Sequence, residues 1–417
     1  MNSPRPPRAP EKARPSILVA HPWMGRGGSE ATAMWTLHAL QDRFPVAFTS
    51  ASPVNFEELN AVYGTSVSAE KVRVLPAPRL FHLRSATTLV YWQHAWFERF
   101  CQKIGPKFDL CVSAYNPIYF GRPGIQLIGD FSFSEQSRRL LYPNAEDRFC
   151  HRQSLLRRAY LSLGESLTGQ KRPPLAERGD CAVANSSWTA GNLERIFGVF
   201  DAPVLYPPSP LYDIRENADR EPLSFVCLGR ISPEKELVKI IAILDRVREA
   251  GFPVTLDVVG PFDNSPYSDR IRRLIASRKD WIQAPGFLNP TEKAKLFGSR
   301  SFGIHGGRGE AFGIAIAEMA AAGLVPIVPD SGGPPEIAHF PELRYESEED
   351  AVKRIIHLLE MPEKIETYRH ALAGHVQQFR PEAFMENLLR IIEDFLGVPT
   401  PTSSNDALVE KDHAAAY

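Results

Sequence analysis

Along the whole chain, short apolar runs alternate with segments whose apolar positions recur at three- and four-residue spacing. That alternation predicts parallel sheets built from βαβ units. In the first half the runs are SILVAH (16–21), VAFTSA (46–51), VRVLPA (72–77), LCVSA (110–114), IQLIGDF (125–131) and CAVANS (181–186). In the second half they are SFVCLGR (224–230), VTLDVVG (254–260), WIQAPGF (281–287), SFGIHGG (301–307) and VPIVPD (325–330), with amphipathic segments such as 236–251 between them. The Pro-rich stretch VLYPPSPLYDIRENADREP (204–222) interrupts the pattern and reads as a hinge. The expected architecture is α/β, with two doubly wound, Rossmann-like parallel-sheet domains facing across a cleft at the carboxyl ends of their strands.

The expected boundaries are a Pro-rich basic leader at 1–15, a first domain at 16–205, a hinge at 206–222 and a second domain at 223–378. A helix at 379–397 returns to the first domain, and a polar tail follows at 398–417. A length of 417 residues suits two cores, and 43% hydrophobic with 23% charged residues is ordinary globular composition. Charge changes the picture more. Residues 1–200 hold 24 Lys and Arg against 16 Asp and Glu, a balance of +8, and the rest of the chain balances to −9. The first half is therefore suited to an anionic partner, with drift in surface composition as the other reading. Five scattered cysteines without CxxC spacing point to reduced thiols and a cytoplasmic setting. No run is long and apolar enough for a membrane span.

Candidate chemistry gathers in loops that follow strands. Gly25, Gly27 and Gly28 lie between a strand and a helix that Ser29 is placed to cap, an arrangement that lets backbone N–H groups approach an anion. A plain strand–helix turn is the alternative, since neither GxGxxG nor a P-loop is present. In SFVCLGRISPEKE, Arg230 stands at a strand end and Lys235 near the next helix start, which suits a diphosphate. The bland alternative pairs them with Glu234 or Glu236. HGGRGEAFG (305–313) and PDSGGPPEI (329–337) add two more glycine-rich turns. Four such loops together favour a nucleoside-diphosphate ligand. Glu318 sits in the otherwise apolar GIAIAEMAAAG, where a carboxylate is costly unless the protein or a ligand supplies a hydrogen-bond partner.

The segments AHPWMGRGGSE, GRISPEK and GEAFGIAIAEMAAAGLVPIVPDSGGPPEI resemble glycosyltransferase family 4, the retaining nucleotide-sugar transferases of the GT-B fold. The likeness runs from about Ser16 to the last helix. The Glu-to-Glu segment is also similar in wording to dolichol-pathway α-1,2-mannosyltransferases. What the resemblance implies is transfer of a hexosyl unit, mannosyl favoured, from a GDP- or UDP-sugar. The acceptor would be a saccharide or a lipid-linked one. Glu318 would accept from ribose hydroxyls, and Glu310 would hold hydroxyls of the donor sugar. Phe312, Gly313 and Ile314 would present backbone N–H groups. Arg230 and Lys235, with the loop at Gly27 and Gly28, would neutralise the diphosphate. The family's His in the first domain is replaced in the comparable strand by Asp130, which would either orient the sugar or merely cap the strand.

His94 reads as packing or surface, His305 as donor-pocket or structural, and Glu336 as a first-turn helix carboxylate without a ligand. Glu346, in ESEED, reads as an acidic helix start. With no metal-like spacing, no metal, no cofactor and no nucleic acid are expected. Residues 137–163 interleave Arg138, Arg139, Arg148, Arg152, Arg157 and Arg158 with Leu, Phe and Tyr. They are expected either to touch an anionic bilayer peripherally or to form a solvated helix face. Two rival functions use the same fold: a sugar-nucleotide epimerase, for which no acid/base pair can be assigned, and a non-catalytic nucleotide-sugar-binding scaffold.

Overall fold

The computed structural model describes residues 14–82, 88–141, 154–168, 172–210 and 219–397. Strands β1 (Ile17–Ala20), β2 (Val46–Ser50), β3 (Val72–Pro76), β4 (Leu110–Ser113), β5 (Ile125–Ile128) and β6 (Cys181–Ala184) form one parallel sheet. Strands β7 (Glu221–Leu228), β8 (Thr255–Val259), β9 (Ile282–Gly286), β10 (Arg300–Ile304), β11 (Val325–Pro329) and β12 (Arg344–Tyr345) form the other. The orders are β3-β2-β1-β4-β5-β6 and β12-β11-β10-β7-β8-β9, so each sheet is doubly wound. Every run singled out in the sequence is a strand, and only the two-residue β12 was not anticipated.

These runs become buried parallel strands because both faces are covered by helices, so alternation gives way to continuous apolar residues. In β1 all four residues are buried, with Ile17 paired to Val46 on one side and to Leu110 on the other. Chain order reverses at β1–β4 in the first sheet and at β7–β10 in the second. Loops leaving neighbouring strands splay apart there and open a crevice, the usual ligand position in such sheets. The Gly27–Gly28 loop follows β1, Arg230 follows β7 and Glu310 follows β10.

The helix Pro381–Leu396 buries Phe384, Leu388 and Ile392 in the first domain's core beside Leu37, Leu40 and Val46. Cys101, Cys111, Cys181 and Cys227 are free thiols, and Cys150 lies outside the described residues. No helix among the described residues is long and apolar enough to cross a membrane.

Candidate active site

Between the two sheets runs a cleft of about 4280 Å³. Small-ligand pockets are roughly 300–1,000 Å³, so this one has room for two substrates. Gly27, Gly28 and Asp130 line it from the first domain, and Arg230, Lys235, Glu310, Phe312, Gly313, Ile314 and Glu318 line it from the second. The residues assigned to the donor, the diphosphate and the sugar therefore border one cleft, although Gly25 does not and the geometry of several differs from expectation.

Lys235 closes a short 3-10 turn, Pro233–Lys235, ahead of the helix Leu237–Glu249. Its Nζ lies 2.6 Å from Glu310 Oε2, so it pairs with the loop after β10 on the same wall of the cleft rather than with Glu234 or Glu236. Burial alone would push the Glu310 carboxyl up, but Lys235, His305 and Arg230 together hold it down at about 2. His305 stands 3.9 Å from the same oxygen, with its Nε2 lacking a hydrogen-bond partner. Burial, and then Lys235, lower the imidazole to about 4, so it is neutral near pH 7. Arg230 is 75% exposed at the lip, and its nearest carboxylate, Glu234, is 3.8 Å away. This guanidinium is loosely held and free to turn onto an anion.

Glu318 lies on the buried helix Ile314–Ala321. The carboxylate anticipated as needing a partner has one from the protein, because Lys293 of the helix Pro290–Gly298 donates to its Oε1. Phe312 turns its ring into the core against Tyr206 and Phe379, leaving only its backbone to the cleft. The first-turn N–H groups of Ile314 and Ala315 have no intrahelical acceptor and face the same space.

The glycine loop of the first domain is not built as expected. The helix begins at Gly28 with Gly27 as its cap, two residues before the start that would let Ser29 cap it, and the Ser29 hydroxyl donates to Glu30. The Gly27 N–H is already engaged by the Tyr63 hydroxyl at 2.9 Å, and that hydroxyl in turn donates to the Gly25 carbonyl. Gly28 is the residue that reaches across the cleft. A Cβ there would sit 2.6 Å from Ile314 Cδ1, so a larger residue at this point would have to displace the tip of the Ile314 side chain.

Asp130 accepts from Asn116 Nδ2 at 2.9 Å and from the Ser132 N–H at 2.8 Å. Its carboxylate is thus anchored in a turn after β5 while still lining the cleft. His94 packs against Trp23 and Tyr115, with ring centroids 6.3 and 6.0 Å away, and all three border the cleft.

Glu336 corrects one expectation. It does lie in the first turn of its own short helix, Pro334–Ala338, but its carboxylate serves another helix altogether. It accepts from the N–H groups of Ser187 and Trp188, each at 3.0 Å. Glu346 precedes the helix Glu348–Leu359, which Ser347 caps, as the acidic start predicted. Sequence reasoning missed Lys293, Tyr63 and Asn116. Only Asn116 left a trace, as a polar residue just after β4 of a type that tolerates its φ of 51°.

Residues 212–372 match the family model described as glycosyl transferases group 1. The chain is 25% identical over 240 residues to the human GDP-Man:Man(3)GlcNAc(2)-PP-Dol alpha-1,2-mannosyltransferase, covering 51% of this chain and 48% of that one. It is 28% identical over 169 residues to the protein of the same name from Eremothecium gossypii, covering 37% and 29%. The matched segments thus span less than half the length of these curated relatives. Among solved structures, sucrose-phosphate synthase from Thermosynechococcus elongatus superposes with a TM-score of 0.68 at 14% identity, covering 92% of this chain and all of that one. Anabaena HepE, solved with UDP and glucose, superposes at 0.63 and 15% identity, covering 91% and 99%. Residues 212–372 thus resemble a glycosyl transferases group 1 domain, and the two facing sheets of the chain share the GT-B fold of these solved structures.

Proposed function

We propose that the chain is a retaining hexosyltransferase that moves a sugar, mannose favoured, from a nucleoside-diphosphate donor to a saccharide or lipid-linked acceptor. The observation that carries this reading is the Lys235–Glu310 ion pair at the carboxyl edge of the second sheet, with Arg230 beside it and Glu318 in the same cleft. A diphosphate entering there meets two cations and the first-turn N–H groups of the helix Ile314–Ala321. Lys235 then shifts part of its charge to the phosphate, and Glu310 is free to accept from hydroxyls of the donor sugar. Glu318 is placed for the ribose, sharing Lys293.

Departure of the diphosphate is eased by Arg230 and Lys235, which meet charge as it develops, with no metal needed in this reading. The acceptor hydroxyl enters on the same face and gives its proton to the leaving phosphate. The new glycosidic bond thereby keeps the configuration of the broken one. No protein nucleophile takes part, and Asp130 orients the sugar from the opposite wall. An epimerase would need an acid and a base flanking one sugar carbon, and Glu310 with neutral His305 on a single side does not provide that.

The direct test is nucleoside-diphosphate release from a panel of GDP- and UDP-sugars, followed by the anomeric configuration of any product. GDP-mannose is the expected donor, since the names of the curated relatives specify GDP-Man. Binding of a sugar nucleotide without release under any acceptor supply would instead favour the scaffold reading.

A lipid-linked acceptor fits the surface beside the cleft. Leu155 and Leu156 are 82% and 83% exposed at the start of the helix Leu155–Leu167, and Leu140 and Leu163 are exposed nearby. Arg158 flanks them, while Arg138, Arg139 and Arg157 are all paired with Glu135; Arg148 and Arg152 fall outside the described residues. Each buried leucine is worth about 1.5–3 kcal/mol, and each basic residue near an anionic surface about 1 kcal/mol. The chain should therefore co-sediment with phosphatidylserine-containing vesicles at low salt and not with neutral ones. The double substitution Leu155→Asp with Leu156→Asp should abolish it. No recovery with either vesicle type would remove the membrane from this reading.

A further inference from the structure

The two domains are joined by a set of polar contacts that neither diphosphate recognition nor sugar transfer accounts for. The helix Ser187–Phe197 belongs to the first domain, and its first-turn N–H groups need acceptors. Its own cap, Ser186, satisfies Thr189. The N–H groups of Ser187 and Trp188 are met instead by the two oxygens of Glu336, a residue of the second domain. A carboxylate at a helix N-terminus is favoured both by the charge-assisted bonds and by the helix dipole. Tyr206, in the connection between the domains, donates to Glu336 Oε2 at 3.0 Å. Beside this, the buried Ser186 hydroxyl donates at 2.6 Å to the carbonyl of Ala311, the residue after Glu310.

Glu336 is also coupled to the Glu310 loop from its own side. Its N–H donates to the Gly333 carbonyl, and the Gly333 N–H donates to the Glu310 carbonyl. One side chain therefore fixes the register between the first domain and the backbone that carries Glu310. We propose that Glu336 is an interdomain positioning residue. By occupying the N-terminus of the helix Ser187–Phe197, it clasps the domains so that the cleft wall bearing Asp130 and Gly28 faces Glu310 at working distance. This rests on the transferase reading only for its kinetic consequence; the clasp itself is a structural claim.

Two variants test it. Glu336→Ala removes the carboxylate. Ser187→Pro removes one donor while leaving the helix intact, because proline suits the first helical position and Ser186 is extended, at φ −165° and ψ 163°, as a residue before proline must be. Ser187→Ala, which keeps the N–H, is the control for the lost hydroxyl. Small-angle scattering should show a larger radius of gyration for Glu336→Ala and Ser187→Pro than for wild type and the control. Donor affinity, set mainly within the second domain, should stay within about twofold, while transfer falls about 10-fold or more, the worth of a bond to a charged group.

An unchanged radius of gyration in both variants overturns the clasp, whether or not the protein transfers sugar. So does a loss of donor affinity equal to the loss of transfer. If wild type binds no sugar nucleotide, the transferase reading fails, and scattering alone then judges the clasp.

Discussion

Glu310→Gln should lower kcat/KM for sugar transfer by about 10²–10³-fold while the free nucleoside diphosphate binds as tightly as to wild type, or more tightly. Both effects come from the same 2.6 Å contact. Without the carboxylate, the donor sugar keeps only a neutral amide acceptor for its hydroxyl groups, and the ammonium of Lys235 is released to the phosphate. Lys235→Ala should lower transfer comparably but weaken nucleotide binding, and this opposite sign separates the two roles. Calorimetric titration of the nucleotide beside initial rates of transfer reads both. Equal weakening by both substitutions would mean that the pair acts only as a structural tie.

Lys235→Ala also exposes what the pair does for the fold. The Glu310 carboxyl lies at about 2 against an ordinary 4.5, which corresponds to on the order of 3 kcal/mol. Because the folded value is depressed, this contribution is present above pH 4.5 and is lost as pH falls toward 2. Removing Lys235 leaves burial to push the carboxyl upward, so the variant should melt earlier than wild type at neutral pH. His305 works in the same direction but in a higher pH window. Its folded value of about 4 lies below the ordinary 6.5, so the unfolded chain binds a proton first. Stability should therefore fall by about 1.4 kcal/mol per pH unit for this group between pH 6.5 and 4. The acid side of the melting profile reports His305 before Glu310.

How much of this was legible depended on the range of the interaction. Strands such as Ile17–Ala20 and Val325–Pro329 were visible because burial on both faces leaves an uninterrupted apolar run, a property of neighbouring residues. Strand β12, at Arg344–Tyr345, has no such run and was invisible. Glu310 and Lys235 were legible as candidates because each follows a strand in a glycine-rich or cation-bearing loop. Their pairing was not, since they lie 75 positions apart. Lys293, paired to Glu318, sits on an exposed-looking helix with nothing local to mark it. The Ser29 cap failed because the helix starts two residues early, a shift that propensity does not resolve. Glu336 shows the limit most clearly. Its place in the first turn of Pro334–Ala338 was readable, whereas its partners at Ser187 and Trp188 depend on how the two domains meet.

Gly332→Ala should cost about 10²-fold in transfer with only a modest loss of stability. At φ +83° the position lies in the left-handed region, and an added Cβ would sit 2.3 Å from the Glu310 carbonyl oxygen and 3.0 Å from its nitrogen. Strain of roughly 1–2 kcal/mol attends any L-residue there. The clash is the larger matter, because the nearest atoms are backbone and cannot swing aside as a side-chain tip would. Relief means moving the loop that carries Glu310, and a displacement of about 1 Å at a reacting group can cost 10²-fold. Gly251→Ala separates strain from displacement. It shares a positive φ, +99°, but an added Cβ there meets nothing within 4 Å. Gly332→Ala should lose more melting temperature than Gly251→Ala, by the cost of the clash, and only Gly332→Ala should lose transfer. Comparable activity in the two would show that the Glu310 loop tolerates movement, and the requirement for glycine at 332 would then be one of backbone conformation alone.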